Sequence, residues 1–264
     1  MVKIDFSGKA AVVVGGSSGI GKGIALEFAG CGAQIWIGDL DEKGADATCK
    51  EIEALGGKAG FTKIDVSWPQ DVEGLYAEAK AKYGRIDIAV NSAGLFLPGD
   101  VLEVGPERIK AHLDVNLLGV INGTREALRT MIEQGGGGKI LNIASVGGRG
   151  SDEGAAYYAL GKSGVINFTQ SAACTAIRHG INVNSLCPGM VRTPMQEFII
   201  DHVTGKDPEA DRDAVYQAMV EERAPLGRNI TTEEVAWSAS FLCSGYADAI
   251  VGQALNVCGG WRMN

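Results

Sequence analysis

Tyr158 and Lys162 carry a phenol and an ammonium four residues apart in Tyr158-Ala159-Leu160-Gly161-Lys162. On a helix the two fall within about 40° of one face. A free tyrosine has a pKa of about 10 and is a poor base at neutral pH unless nearby positive charge stabilises its phenolate. Lys162 is placed to supply that charge, which makes the pair a candidate acid–base unit. Tyr157 is five residues from Lys162 and points elsewhere, so the adjacent tyrosines are not equivalent. Ser145 lies thirteen residues before Tyr158, at the end of the apolar run Lys139–Ala144. Its hydroxyl can donate a hydrogen bond to a reacting oxygen.

A second group of residues could hold a charged cofactor. Gly15-Gly16-Ser17-Ser18-Gly19-Ile20-Gly21 follows the apolar run Ala10–Val14 and opens a helical pattern. Glycines let the backbone approach a pyrophosphate, and a helix N-terminus offers it free amides and a positive dipole. Asp39 follows Gly21 by eighteen residues, at the end of a second apolar run. A carboxylate there can accept the hydroxyls of an adenosine ribose and repel a 2′-phosphate. These residues predict NAD as cofactor in preference to NADP.

The elements that must position these groups are short apolar runs alternating with amphipathic ones. Ala10–Val14, Gln34–Gly38, Ala59–Ile64, Ile86–Val90, Lys139–Ala144, Ile181–Leu186 and Ala254–Val257 read as strands. Continuous apolar strands separated by helices predict an α/β Rossmann fold, a doubly wound parallel sheet of about seven strands with helices on both faces. The expectation is one domain over 1–264, with a substrate lid inserted at about 190–225, where the polar stretch Asp201–Asp213 breaks the alternation. The 264 residues carry a net charge of −8, which argues against nucleic acid or an anionic membrane as partner. No stretch approaches the length of an apolar membrane span, and the first residues lack the apolar core of a secretion signal, so a cytoplasmic protein is expected. Six cysteines without a Cys-x-x-Cys pair read as buried thiols, and three scattered histidines give no metal-ligand spacing, so no metal is expected.

Taken together, these residues resemble the classical short-chain dehydrogenase/reductase family from Gly8 to about Gly260. The matching elements are Gly15, Gly19, Ile20 and Gly21, then Asp65-Val66, Asn91-Ser92-Ala93-Gly94, Asn116, Ser145, Tyr158 with Lys162, and Pro188-Gly189-Met190-Val191 with Thr193. The resemblance implies a catalytic set of Asn116, Ser145, Tyr158 and Lys162. It also implies a cofactor set comprising the turn with Ser17 and Ser18, Asp39, Asp65 and Val66 near the adenine, and Asn91, Ala93 and Gly94 beside the cofactor. Tyr158, Lys162, Pro188, Gly189, Val191 and Thr193 complete that set. Lys162 would also hold the nicotinamide ribose, Asn116 would hold a water in a proton relay, and the molecule would be a homotetramer packed through the helices of Asn116 and Tyr158. The chain departs from the family pattern at Val14 for Thr, Ser92 for Asn, Gly161 for Ser and Cys258 for Asp.

The expected reaction is hydride transfer between nicotinamide and a secondary alcohol or ketone, with Tyr158 as general acid or base. Phe96, Val146, Asp152, Met190 and Met195 are the candidates for contact with this small-molecule substrate. Arg149, Asp152, Glu153 and Gln196 could hydrogen-bond a polyhydroxylated one. A narrower likeness to the sorbitol (polyol) dehydrogenase branch, in Met131–Ser145, Thr169–Gly189 and Asn256–Trp261, points to a polyol and its ketose. A 3-oxoacyl, steroid or aryl ketone is the nearer alternative, and a non-catalytic NAD-binding sensor the remote one.

Overall fold

The structure, a computed structural model, describes residues 4–150 and 154–263. Its elements run β1 (Ala10–Val14), α1 (Gly19–Gly30), β2 (Gln34–Asp39), α2 (Glu42–Ala54), β3 (Lys58–Lys63), α3 (Pro69–Tyr83), β4 (Ile88–Asn91) and α4 (Pro106–Leu113). A π-helical turn (Asp114–Leu118) leads into α5 (Gly119–Gln134), followed by β5 (Gly138–Ile143), α6 (Ala156–Ala176), β6 (Ile181–Pro188), α7 (Pro194–Val203), α8 (Arg212–Arg223), α9 (Thr232–Cys243) and β7 (Ala254–Val257). All the strands pair in parallel in one seven-stranded sheet of order β3-β2-β1-β4-β5-β6-β7. Strand order reverses between β1 and β4, and a cleft opens beyond the carboxyl ends of the strands at such a point.

The two faces of the sheet explain the continuous apolar strands. Side chains alternate in direction along a strand. Val13 therefore joins Ile24, Phe28 of α1 and Val235, Leu242 of α9 on one face, while Val12 and Val14 join Val72, Leu75 and Tyr76 of α3 and Met131 of α5 on the other. The strands follow the apolar runs with ends displaced by one or two residues. β4 begins at Ile88 instead of Ile86 because the preceding residues are held otherwise. The Ile86 backbone pairs with the Gln134 amide, and the Asp87 carboxylate accepts from the Ala10 amide at 3.0 Å.

The segment after β6 contains two helices with a small core of their own. Met190, Ile200, Tyr216, Val220 and Ala224 pack together there. Arg192 and Arg212 tie α7 to α8 through Glu197, Asp201 and Asp213. Among the described residues no helix is long and apolar enough to cross a membrane.

Candidate active site

A cleft of about 690 Å³ lies over the carboxyl ends of the strands. One end is formed by the glycine turn between β1 and α1. Gly15 has φ +82°, and a Cβ on it would sit 2.5 Å from the Ala93 amide nitrogen; one on Gly21 would sit 2.0 Å from the Gly15 carbonyl oxygen. Only glycine allows the turn to fold on itself and lie against the end of β4. Ser18 precedes α1 without a side-chain cap, so the first-turn amides are left to solvent or an anion. Ser17, Ser18, Gly19 and Ile20 all line the cleft.

Asp39, at the end of β2, lines the same region and is held by backbone amides. Its Oδ2 accepts from Ser17 N and its Oδ1 from Asp41 N, both at 3.0 Å. The carboxylate thus pins the glycine turn as well as facing the cleft. Lys22, next to the glycine turn in sequence, is engaged with Glu51 at 2.6 Å. Asp65 and Val66 line the neighbouring wall, and the Asp65 carboxylate accepts from Ser67 N and Oγ.

Ala93 and Gly94 line the cleft, but Asn91 does not. Its Nδ2 donates to Asn142 Oδ1 at 2.8 Å and to Thr124 Oγ1 at 3.2 Å. Asn91 is therefore corrected from a cofactor contact to a buried brace beneath the cleft. An inward-facing NH2 at a strand end must find acceptors within the protein, and that of Asn91 finds them in β5 and α5.

At the other end, Ser145 follows β5 and its Oγ accepts from Gly147 N at 3.0 Å. Tyr158 and Lys162 project from α6 into the cleft beside it. Lys162 is 3% exposed; its Nζ donates to the Ile143 carbonyl at 2.9 Å and stands 5.9 Å from the Tyr158 ring centre. Burial lowers its pKa to about 8. Burial also raises the Tyr158 pKa, opposed by the hydrogen bond with Ser145. The expected lowering by Lys162 does not prevail, because the low-dielectric site disfavours the phenolate more than its surroundings favour it. Tyr157 is turned away, its hydroxyl donating to the Val101 carbonyl at 3.0 Å.

Asn116 sits in the π-helical turn and is fully buried. Its Oδ1 accepts from Leu95 N and its Nδ2 donates to Leu95 O, both at 2.7 Å. A Cβ added to Gly94 would meet Asn116 Oδ1 at 3.1 Å and Lys162 Nζ at 3.4 Å, so the asparagine and the lysine converge on one glycine. The histidine reading passed over His112. It is buried beside this group, with Nε2 2.8 Å from Asn116 Nδ2 and its ring centre 6.1 Å from that of Tyr158. The signal that could have found it is its own four-residue spacing from Asn116.

The wall after β6 brings Pro188, Gly189, Val191 and Thr193 to the cleft. Thr193 precedes α7, and its side chain lies 3.3 Å from where a Cβ on Gly19 would be, so a second helix N-terminus adjoins the glycine turn. Phe96, Met190 and Met195 line the cleft with Phe198, Ile199 and Trp261, and the Phe96 ring packs 5.2 Å from that of Tyr158. Val146 is corrected: it is 1% exposed and packs with Val120, Ala144, Val165, Cys187 and Cys258. The chain turns after Ser145 so that this apolar side chain enters the core. Arg149 is likewise directed to the Ala254 carbonyl of β7. Asp152 and Glu153 lie outside the described residues.

The cleft thus combines a glycine turn with free helix-N-terminal amides, a carboxylate at the end of β2 and a serine, tyrosine and lysine, a set that fits a nicotinamide dinucleotide. The profile of the enoyl-(acyl carrier protein) reductase family adh_short_C2 matches residues 14–262. The diacetyl reductase [(S)-acetoin forming] of Staphylococcus epidermidis is 34% identical over 252 residues, covering 96% of this chain and 98% of its own. The structure of an actinorhodin polyketide ketoreductase variant with NADPH superposes with a TM-score of 0.90 at 35% identity, over 96% of this chain and 97% of the other. That of L-sorbose reductase from Gluconobacter frateurii, complexed with NADPH and L-sorbose, gives 0.93 at 29% identity, over 98% of both. The chain belongs to the short-chain dehydrogenase/reductase family and is an oxidoreductase of secondary alcohols or ketones that uses a nicotinamide cofactor.

Proposed function

We propose that this chain is an NAD(H)-dependent reductase of a largely apolar ketone, working reversibly on the corresponding secondary alcohol. The lining of the cleft around Tyr158 carries this reading. Phe96, Met190, Met195, Phe198, Ile199 and Trp261 leave Gln196 as the amide on the α7 wall. Among the described residues, such a surface recognises shape and apolar area more than a chain of hydroxyls. The alternative weighed against the polyol is thereby favoured, and the likeness to a polyketide ketoreductase supports it. The polyol reading draws support from the likeness to L-sorbose reductase and from Gln196. The placement of Asp39 supports NAD, whereas the two structures compared contain NADPH.

The bound nicotinamide supplies hydride in reduction and takes it up in oxidation. Tyr158 gives its phenolic proton to the substrate oxygen in reduction and removes the hydroxyl proton in oxidation. Ser145 donates a hydrogen bond to the same oxygen, and Lys162 holds the nicotinamide ribose beside Tyr158. Because burial keeps the phenol protonated, the site is poised for reduction at neutral pH. The α7–α8 unit acts as the lid of a single-domain protein. Leu118 and Leu160, half-exposed beside Asn116 and Tyr158, offer apolar surface that a homotetramer would cover. The test is reduced-nicotinamide absorbance with NADH and NADPH across bicyclic, aryl and acyl ketones and ketoses. Faster turnover of a ketose than of every apolar ketone would refute the apolar assignment and leave the dehydrogenase assignment standing.

A further inference from the structure

His112 is 3% exposed, near the end of α4, and adjoins Asn116 and Tyr158 of the candidate catalytic group. The hydrogen-bond inventory determines its form. Asn116 Nδ2 has two hydrogens; one goes to the Leu95 carbonyl at 2.7 Å, and the other faces the imidazole, with Nε2 the nearer nitrogen at 2.8 Å and Nδ1 at 3.3 Å. The Asn116 Oδ1 is fixed by the Leu95 amide, so the side-chain amide has one orientation. Nε2 must therefore present a lone pair, since a protonated nitrogen there would set donor against donor. In the neutral ring the hydrogen is then carried by the other nitrogen.

Space for this arrangement comes from Gly161, on the face of α6 toward the π turn. A Cβ there would lie 3.5 Å from Asn116 Cβ and 3.9 Å from His112 Nε2. A larger side chain would compete for the contact between histidine and asparagine. The imidazole thus lies between the turn bearing Asn116 and the Tyr158 ring.

We propose that His112 is a positioning residue of this active site, holding the Asn116 amide in one orientation through Nε2 while its ring packs beside that of Tyr158. The proposal rests on the reading of Asn116 and Tyr158 as members of the catalytic group. Lys162 and Tyr158 of α6 adjoin the imidazole, while Lys110 and Asp114 pair with each other at 2.6 Å on its own side. Burial and the Lys162 charge hold the His112 pKa down to about 4, so the acceptor persists throughout the working range of the enzyme.

The test pairs kinetics with nitrogen NMR of the imidazole. His112→Phe keeps a ring against Tyr158 and removes the acceptor. It should lower kcat about tenfold, in line with the loss of one buried hydrogen bond, and leave KM for cofactor and ketone within about twofold. His112→Gln, which returns an acceptor oxygen, should recover most of that loss. Combined with Asn116→Ala, His112→Phe should add nothing further, as expected of residues acting through one another. If His112→Phe does not fold, His112→Met carries the same comparison. The NMR spectrum of the wild-type protein should show a neutral ring with a hydrogen-bonded lone pair on Nε2 from about pH 5 to 8. An unchanged kcat in a folded variant, losses that multiply with Asn116→Ala, or a cationic ring in that range would each overturn the proposal. Failure of the underlying reading shows separately, as wild-type turnover in Asn116→Ala or Tyr158→Phe.

Discussion

Replacing Asp39 with alanine removes one negative charge and two side-chain acceptors of backbone amides from the mouth of the cleft. The carboxylate holds Ser17 N and Asp41 N at 3.0 Å each, so its loss loosens the glycine turn for any dinucleotide. That common effect cancels when kcat/KM for NADH is divided by kcat/KM for NADPH. Two terms remain in the ratio. The hydrogen bond from the ribose 2′-hydroxyl to a carboxylate, which NADPH lacks, contributes about 1.5–3 kcal/mol to NADH alone. Repulsion of a 2′-phosphate is bounded by about 4 kcal/mol per charge pair at 4 Å and an effective dielectric of 20, and solvent at this partly exposed position reduces it to a fraction of that. Since 1.4 kcal/mol is a factor of ten, Asp39→Ala should move the ratio toward NADPH by about a hundredfold or more. Asp39→Asn should move it less, because it removes the charge yet keeps one acceptor; its NH2 then faces one of the two backbone donors. Initial rates with both cofactors at equal concentration supply the measurement. A wild-type preference for NADPH, or a ratio unchanged within about threefold in Asp39→Ala, would refute the reasoning.

Tyr158→Phe should reduce turnover by about two orders of magnitude or more, as loss of general acid catalysis does. Tyr157→Phe, which gives up only the bond to Val101, should stay within a few-fold; equal losses would remove the distinction between the tyrosines. Because burial raises the Tyr158 pKa, reduction, which needs the phenol, should hold through neutral pH and decline at higher pH, whereas oxidation, which needs the phenolate, should rise with pH. An oxidation profile of kcat/KM that is flat over about pH 6–9 would contradict this direction. Gln196→Leu should depress turnover of a hydroxyl-bearing ketone more than that of its deoxy analogue, since Gln196 is buried with a 3.9 Å contact to Met219 Sδ; equal effects on both would exclude it from recognition. Hydrogen exchange across 190–223 should slow on addition of NAD and a substrate analogue, with α7 and α8 changing together through their shared core. Unchanged exchange at saturating ligand would count against a lid.

Much of this architecture was legible because the signals were periodic. β1 reads as five consecutive apolar residues, and both faces of that strand are covered. The Tyr158 and Lys162 pairing follows from helical phase alone. Direction was harder to read wherever one residue type suits two environments. Val146 and Met190 are both apolar residues after a strand, yet the first enters the core and the second lines the cleft. Asn91 occupies the strand end from which a cofactor contact was expected, and its amide points inward to Asn142. His112 was missed for a different reason: metal-ligand spacing was sought, while the rule already applied to Tyr158 and Lys162 connects it to Asn116. The direction of the Tyr158 shift depends on burial, which sequence proximity to a lysine does not report.

The two sides of the cleft are held by different means. Beneath Tyr158, the fully buried Asn142, Thr124 and Thr169 join Asn91 in a side-chain network, with Thr124 Oγ1 and Asn142 Nδ2 each donating at 3.0 Å. This network ties β4 and β5 to α5 and α6, the elements that present Ser145, Tyr158 and Lys162. A polar network in a low-dielectric interior specifies one arrangement, because any displacement leaves a donor unsatisfied. Above the cleft, the α7–α8 unit has its own apolar core and its ion pairs lie at the surface, where they contribute little to rigidity. The proton-transfer groups are thus anchored to the sheet, while Met195, Gln196 and Phe198 are carried on α7, which is held by that separate core and those surface pairs. Within one framework, substrate choice can change through α7 while the geometry of proton transfer is preserved.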